Sequence, residues 1–418
     1  MKTKNILLPL LAVLLMSSCG ETSTSPSPSE NTSSEVSSEL SQESSISTEI
    51  LQVYGSVAFY QIEKTSELAH MKALILDNIT DETLKDSITK LFDNCGTSIN
   101  ESNSVSEISE LYKTCLTDVY NLIPTYDNTN ESVELTDEEK QIILKLLDEY
   151  IYRNHLFGAP LADSDWGYAG INLNTLDKET WEKFFGENGT ICQTAKENYW
   201  DVKPFMSNDN FIKGINLALD KSLFTEITPS GDGENPRPII DISECDYYTY
   251  DVEQAKSYFK VALEEMVEQG IYDVSNLSEP INLTIEMAWD TWNSYNNYET
   301  YHNSIKTCLE TVFNDESVTN GNFTLTVNAW QSEYFSQIYA GKIYVGQFDM
   351  CYGRISLSSE LEHYYAYLSL SPADEFSHRL NVNWSLDTSS LDDCIVYNGF
   401  KYSYDDILGL ITKTQEPK

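Results

Sequence analysis

The residues of this chain best suited to chemistry are aromatic side chains and one arginine, and that chemistry is recognition. Trp330 ends a predicted strand, and Tyr352 ends a later one, two residues before Arg354. In α/β sheets, ligands lie beyond the carboxyl ends of strands, where loops converge. Indole faces can cover a solute, and a guanidinium can bind a carboxylate through two parallel hydrogen bonds. We expect these three residues to line a ligand cleft together with Asn383 and Trp384, although packing within a lobe explains each tryptophan equally well when it is taken singly.

No catalytic motif competes with this interpretation. The sequence has no phosphate-binding glycine loop, no GxSxG turn and no HExxH helix. Adjacent carboxylates at 392–393 and 405–406 point apart on a strand or a helix, which argues against general acid–base work. The seven cysteines other than Cys19 have no CxxC spacing, which predicts mostly buried thiols rather than a disulfide framework or a zinc cluster. We expect no enzyme, no cofactor and no metal.

The charge of the chain restricts its partners. The formal net charge is −40. Binding to nucleic acid needs clustered cations, and adhesion to anionic lipid needs them as well. We therefore expect no nucleic-acid partner, and any link to a membrane must be covalent.

Cys19 provides such a link. The first residues contain Lys2 and Lys4, followed by an apolar run over 6–16 that is too short to cross a bilayer. A short basic start, an apolar segment and small residues before a cut are typical of a signal peptide. Residues 16–19 resemble the bacterial lipobox, with Met at its first position where the pattern prefers Leu. We expect Cys19 to be diacylated and to become the mature N-terminus; an ordinary cleaved signal is the alternative.

The segments that follow divide the chain further. Residues 20–49 are rich in Ser, Thr and Pro, which predicts a disordered linker between an anchor and a folded body. Residues 50–135 show apolar stripes at helical spacing and form a predicted helical N-terminal region. Thr136 and Glu139 form a predicted capping box that opens another helix, at the start of a predicted α/β region over 136–418.

Helix and strand patterns alternate within this last region. Asp251 is placed to cap a helix whose apolar face runs to Met266. Residues 281–289 and 323–330 each alternate apolar and polar side chains, as half-buried strands do, with a helical pattern over about 298–313 between them. A strand, a helix and a strand of these lengths predict a βαβ unit, which a short helix over 333–341 and a strand over 346–352 extend.

Several segments of this region resemble one family. "KPFMSNDNFIKGINLALDKSLF" at 203–224 is similar to the segment of extracytoplasmic solute-binding proteins of the peptide type, family 5, in which a helix ends in Ala-x-Asp-Arg/Lys. "YDVEQAKSYFKVAL" resembles the helix that follows in that family. Four more segments match in the same order: "LDEYIYRNHLFGAPL", "GQFDMCYGRIS", "NVNWSLDTS" and "YNGFKYSYDDI". The resemblance covers roughly 141–411.

The resemblance implies a two-lobed α/β fold of the periplasmic type II architecture, which closes on its ligand by a hinge. It implies a peptide or a small solute as ligand and an ABC permease in the membrane as partner, on the extracytoplasmic face. It also implies that Trp166 and Tyr168 line the cleft from the side opposite the other candidates.

The chain departs from the family in two places. The predicted N-terminal helices replace or shorten a lobe that normally contains more sequence. The segment after 349 lacks the acidic residue near a proline that often meets a peptide's amino terminus; the nearest carboxylates are Glu360, which we take as a candidate, and Glu362. A surface lipoprotein that keeps a degenerate solute-binding fold for adhesion or display therefore stands beside the transport receptor as the second hypothesis.

Overall fold

The computed structural model describes residues 55–126, 160–164, 167–173, 201–220, 250–289, 298–331, 348–356 and 395–402, and positions 136, 139, 142, 143, 146 and 406. The predicted signal peptide, Cys19 and the linker over 20–49 lie outside these residues. Within the described part of the chain, no helix is long and apolar enough to span a membrane.

In the described N-terminal residues, 55–126, the chain forms three helices: α1 (Ser56–Asp77), α2 (Glu82–Glu101) and α3 (Val105–Leu122). Side chains cap two of them, because Asp81 accepts hydrogen bonds from the first turn of α2 and Ser104 accepts one from the first turn of α3. The helical pattern predicted for this stretch is thus confirmed over 56–122.

Cys95 on α2 and Cys115 on α3 form a disulfide, with their Cα atoms 6.1 Å apart. The expectation that cysteines are mostly buried thiols is therefore wrong for these two. The physical reason is tertiary: α2 and α3 are joined by a short turn and pack side by side, so residues distant in sequence meet. Cys308 is partly buried against the core, as its place on an apolar stripe predicts.

A second group of helices lies beside the first: α4 (Asp209–Ala218) and α5 (Val252–Glu268). Asp251 caps α5 by accepting from the backbone of Gln254 at 2.9 Å, as predicted. The two helices approach closely at Gly214, where an added Cβ would lie 2.6 Å from the ring of Phe259. One core joins α1–α3 to α4, α5 and the sheet, and the end of the N-terminal region at residue 135 remains a prediction.

The main sheet of the described residues has the order β1-β2-β5-β3-β4. β3 (Ile281–Ala288) and β4 (Phe323–Trp330) pair in parallel over their whole length, and α6 (Tyr298–Phe313) and a short α7 (Glu316–Thr319) connect them. The predicted βαβ unit is confirmed. β1 (Pro160–Ser164) and β2 (Gly167–Leu173) add antiparallel strands beside β5 (Met350–Ser356).

Two boundaries differ from the sequence pattern. The strand predicted over 346–352 begins at Met350 and continues to Ser356, because Asp349, just before it, is fixed against β3 as described below. The helix predicted over 333–341 lies outside the described residues. Thr136 and Glu139 form the predicted capping box: each backbone N–H donates to the other's side chain, at 2.9 and 3.2 Å.

β4 is the edge strand, and polar side chains from α6 cover its outer edge. Glu310 accepts from Val327 N at 2.8 Å, and Lys306 donates to Val327 O at 3.3 Å. Asn314, directly after α6, accepts from Leu325 N at 2.7 Å and donates to Leu325 O at 3.1 Å. These side chains recur every fourth residue and so share one face of the helix. Their bonds occupy backbone groups that an open edge would offer to another strand.

A C-terminal hairpin of β6 (Ile395–Tyr397) and β7 (Phe400–Tyr402) packs on the N-terminal helices. Its two-residue turn, Asn398-Gly399, has positive φ angles of 51° and 87°, which favours these residue types. Backbone bonds join Lys401 N to Pro124 O and Gly399 N to Asn78 O, at 2.9 and 2.7 Å. The hairpin is therefore held against the segments that follow α1 and α3.

Candidate functional site

The candidate site lies at the carboxyl edge of β3 and β4. The register places Trp330, Ala288, Cys351 and Asn172 in one row across four adjacent strands. β3 and β4 end at this row, whereas β5 begins there and runs past it. The edge where ligands collect in α/β sheets is thus bounded on one side by the protruding part of β5.

The protruding part of β5 contains two of the predicted residues. Tyr352 lies one residue beyond the row and Arg354 lies three beyond, which corresponds to roughly 10 Å along the strand. In the antiparallel pairing with β2, Tyr352 is opposite Ile171 and Arg354 is opposite Ala169. Arg354 was expected in a loop after the strand, and this expectation is wrong, because the pairing with β2 continues β5 as far as Ser356.

Tyr168 lies in β2, opposite Ile355 of β5. The resemblance implied that the segment of Tyr168 faces the other candidates across a cleft. The structure instead places this residue on the strand directly beside that of Arg354. Trp330, Tyr352, Arg354 and Tyr168 therefore share one sheet, on strands that meet at or beyond one edge. By register, Trp330 and Tyr168 occupy positions of one face and Tyr352 and Arg354 positions of the other, so a ligand that meets all four must lie across the edge. Trp166, Glu360, Asn383, Trp384 and the lipid-attachment candidate Cys19 lie outside the described residues.

Trp330 is half-buried at the end of β4, and its backbone is bonded to the first residue after β3. Trp289 N donates to Trp330 O at 3.2 Å, which continues the parallel ladder by one step. The indole of Trp289 is fully buried and packs on the ring of Tyr298, with centroids 4.9 Å apart.

The indole nitrogen of Trp289 is paired with a buried histidine. Trp289 Nε1 donates to His302 Nδ1 at 3.2 Å, and the histidine is 5 % exposed. Burial lowers the pKa of His302 to about 4, and the positive charge of Lys306 acts in the same direction. The imidazole is therefore neutral at ordinary pH, and Nδ1 is free to accept the indole proton.

An ion pair between partly exposed Lys203 and buried Asp349 fixes the start of β5. Asp349 is 1 % exposed, and its Oδ2 accepts from Lys203 Nζ at 2.5 Å and from Glu286 N at 2.8 Å. Lys203 Nζ also donates to Thr284 O at 2.6 Å. The pair holds the chain before β5 against β3.

Four residues that shape this edge were missed from the sequence: Lys203, Asp349, Trp289 and His302. A signal existed for the last two, since Trp289 is the last residue of a predicted strand and His302 lies at helical spacing from the apolar Ile305 and Leu309. Lys203 and Asp349 are far apart in sequence, and nothing local pairs them. Among the described residues, no group of three or more His, Cys, Asp or Glu side chains could hold a metal ion.

The chain was also compared with known proteins. No protein-family model matches it, and the search of curated proteins finds no match. Solved structures similar to it include the substrate-binding domain of an oligopeptide ABC transporter from Bacillus anthracis, with 15 % identity, a TM-score of 0.31, and 57 % of this chain and 38 % of that one covered.

Two further structures are OppA proteins. OppA of Haemophilus influenzae, in complex with the peptide RPPGFSPFR, is 15 % identical, with a TM-score of 0.30 over 58 % of this chain and 38 % of that one. OppA of Listeria monocytogenes, bound to peptide, is 12 % identical, with a TM-score of 0.29 over 58 % and 43 %. The chain thus spans less than half the length of these three structures.

Proposed function

We propose that this chain is a membrane-anchored extracytoplasmic solute-binding protein that delivers an oligopeptide or a related small solute to an ABC permease. The single observation that carries the proposal is the common location of Trp330, Tyr352, Arg354 and Tyr168 on strands that meet at or beyond one carboxyl edge. The six family-like segments, which occur in order along the sequence, support the same assignment. The two-lobed type II arrangement and hinge closure belong to this proposal.

The chemistry of the edge fits a peptide better than a purely apolar solute. An arginine can bind a carboxylate, and aromatic rings offer large rigid surfaces that tolerate different side chains. A ligand with a terminal carboxylate and varied side chains would use both kinds of group. Trp166, Asn383, Trp384 and Glu360 complete the proposed lining.

Export is supported by the bond between Cys95 and Cys115. Disulfides persist in oxidising compartments and are rare in the cytosol. An exported receptor needs a tether beside its permease, and acylation of Cys19 would supply one. Replacing Cys19 by Ala is expected to release the protein into the medium or to leave it unprocessed; a membrane-bound variant of normal mature mass would contradict this anchoring.

The test of ligand binding is native mass spectrometry of the unlipidated protein, before and after incubation with a tryptic digest of casein. A receptor should retain peptides of a restricted length range, at a stoichiometry of one per chain. A protein that retains none, while circular dichroism shows it folded, would contradict peptide binding and favour the alternative of a surface lipoprotein for adhesion or display.

A further inference from the structure

His302 lies on the polar face of α6 that covers β4, but its contacts differ from those of the other residues on this face. Positions 302, 306, 310 and 314 recur every fourth residue, and the last three bond the outer edge of β4. His302 also bonds the backbone of Val327. It differs from the other three because it reaches past β4 to the end of β3, where it meets the indole of Trp289.

The protonation state of the imidazole follows from these two bonds. Val327 N already donates to Glu310, so the bond from the histidine goes to the carbonyl oxygen of Val327, and a ring N–H must donate it. Nδ1 accepts from Trp289, which leaves Nε2 as the donor. A neutral imidazole with its proton on Nε2 satisfies both partners, and no other form does.

We propose that His302 is a positioning residue for the ligand-contacting Trp330, an inference that rests on the proposed function. The imidazole accepts a hydrogen bond from the indole of Trp289, and the backbone N–H of Trp289 donates to Trp330 O. The same ring bonds the backbone of Val327, three residues before Trp330. Both strand ends are thereby fixed to α6 through one side chain. A buried site of this kind transmits small displacements because its neighbours are close-packed.

The surroundings of the His302 imidazole keep the ring neutral. On α6, Lys306 lowers the pKa of the ring and Glu310 raises it. From β3 and β4, the described partners are an indole N–H and a backbone carbonyl, neither of which titrates near neutral pH. Tyr298, at the start of α6, packs on the other side of Trp289. Adding a proton to Nδ1 would set two N–H donors against each other and break the contact with Trp289.

The test uses fluorine NMR of the protein labelled with 5-fluorotryptophan, with the signals of Trp289 and Trp330 assigned from W289F and W330F. His302→Leu, which removes both bonds, should shift the Trp330 signal as well as that of Trp289. His302→Gln, whose amide can accept from the indole and donate to the carbonyl, should restore both signals. W289F, which removes the indole donor, should also shift the Trp330 signal.

An unchanged Trp330 signal in His302→Leu would overturn the proposal, as would a shift that Gln fails to restore in a folded protein. If His302→Leu does not fold, W289F provides the test instead, and an unchanged Trp330 signal in that variant would overturn the proposal. For peptides retained from the casein digest, His302→Leu should weaken binding about tenfold, as expected for a displaced contact. If the wild type retains no peptide, the proposed function fails, whereas the NMR result for positioning stands independently.

Discussion

Two buried polar clusters in this protein use charge in opposite ways. Between α1 and α4, Glu67 lies between two ammonium groups, 2.7 Å from Lys64 Nζ and 2.5 Å from Lys213 Nζ. Burial alone would raise the pKa of Glu67, but Lys213 and Lys64 together hold it well below its usual range. Around Trp289, at the edge of the sheet, the central group is a neutral histidine whose pKa burial lowers.

The difference shows which cluster is suited to structure and which to function. In the helical cluster, the ring of Tyr112 lies 4.4 Å below Lys64 Nζ, and Tyr258 Oη donates to Glu63 at 2.9 Å. These contacts join α1, α3, α4 and α5, and none of them lies at the strand ends. The histidine cluster is bonded directly to the residue at the end of β4. We therefore expect changes in the first cluster to reduce stability alone, and changes in the second to alter binding as well.

The largest effect on stability is expected from Glu67→Gln. Without the carboxylate, two buried ammonium groups lose the charged partner that they share, and breaking a buried pair in this way costs about 3–5 kcal/mol. Urea denaturation should show this loss in the free energy of unfolding, with peptide affinity unchanged in the fraction that remains folded. Asp93→Ala, which breaks the exposed pair with Lys72, is the control and should cost at most about 1 kcal/mol.

A smaller effect is expected at the covered edge of β4. Asn314→Ala removes both side-chain bonds to Leu325, and leaving partly buried backbone groups without partners costs about 1–3 kcal/mol. The uncovered edge should also promote self-association, which analytical ultracentrifugation would detect. Ser304→Ala, on an exposed part of α6, should change stability by no more than about 0.5 kcal/mol. Equal losses in the two variants would contradict the role given to Asn314.

The smallest effect concerns pH. The pKa of His302 is about 4 in the folded protein against 6.5 for an unperturbed histidine. As the pH falls below 6.5, His302 is protonated in the unfolded chain but stays neutral in the folded protein, which favours unfolding. The stability contributed by the neutral ring is therefore lost between pH 6.5 and about 4. Below pH 4, His302 is protonated in both states and contributes little further change. Thermal unfolding across this window should show a shallower pH dependence in His302→Gln than in the wild type; identical slopes would contradict the burial of a neutral ring.

The sequence predicted the elements whose signals are local. The alternation of apolar and polar residues over 281–289 and 323–330 identified β3 and β4, and Asp251 identified the start of α5. Both signals are local, because burial of one face and helix capping depend on residues that are close together in sequence. The parallel pairing followed from the helix between the two strands. Of the candidate site, Trp330 was correctly predicted at a strand end for the same reason.

What the sequence did not reveal depends on long-range pairs. The chain before β5 is held by Asp349 and Lys203, which are 146 residues apart, so no local pattern marks the start of the strand. Arg354 was misplaced because the end of β5 depends on its pairing with β2, which is equally distant in sequence. Cys95 and Cys115 meet only because α2 and α3 pack together. The role of His302 became visible once β4 was known to be the edge strand, since an isolated histidine on an apolar face is otherwise a core residue.

The central claim is that a ligand binds at the edge bounded by Trp330 and Arg354. Titration calorimetry of Trp330→Ala and Arg354→Ala, with the peptide that the wild type retains most strongly from the casein digest, tests it most directly. Each variant should bind ten- to a hundredfold more weakly, since a lost charge-assisted contact costs about 1.5–3 kcal/mol, and each should remain folded by circular dichroism. Lys113→Ala, which removes a charge from an exposed position on α3, is the control and should bind the peptide with wild-type affinity. Unchanged affinity in both site variants would place the ligand elsewhere and contradict the account.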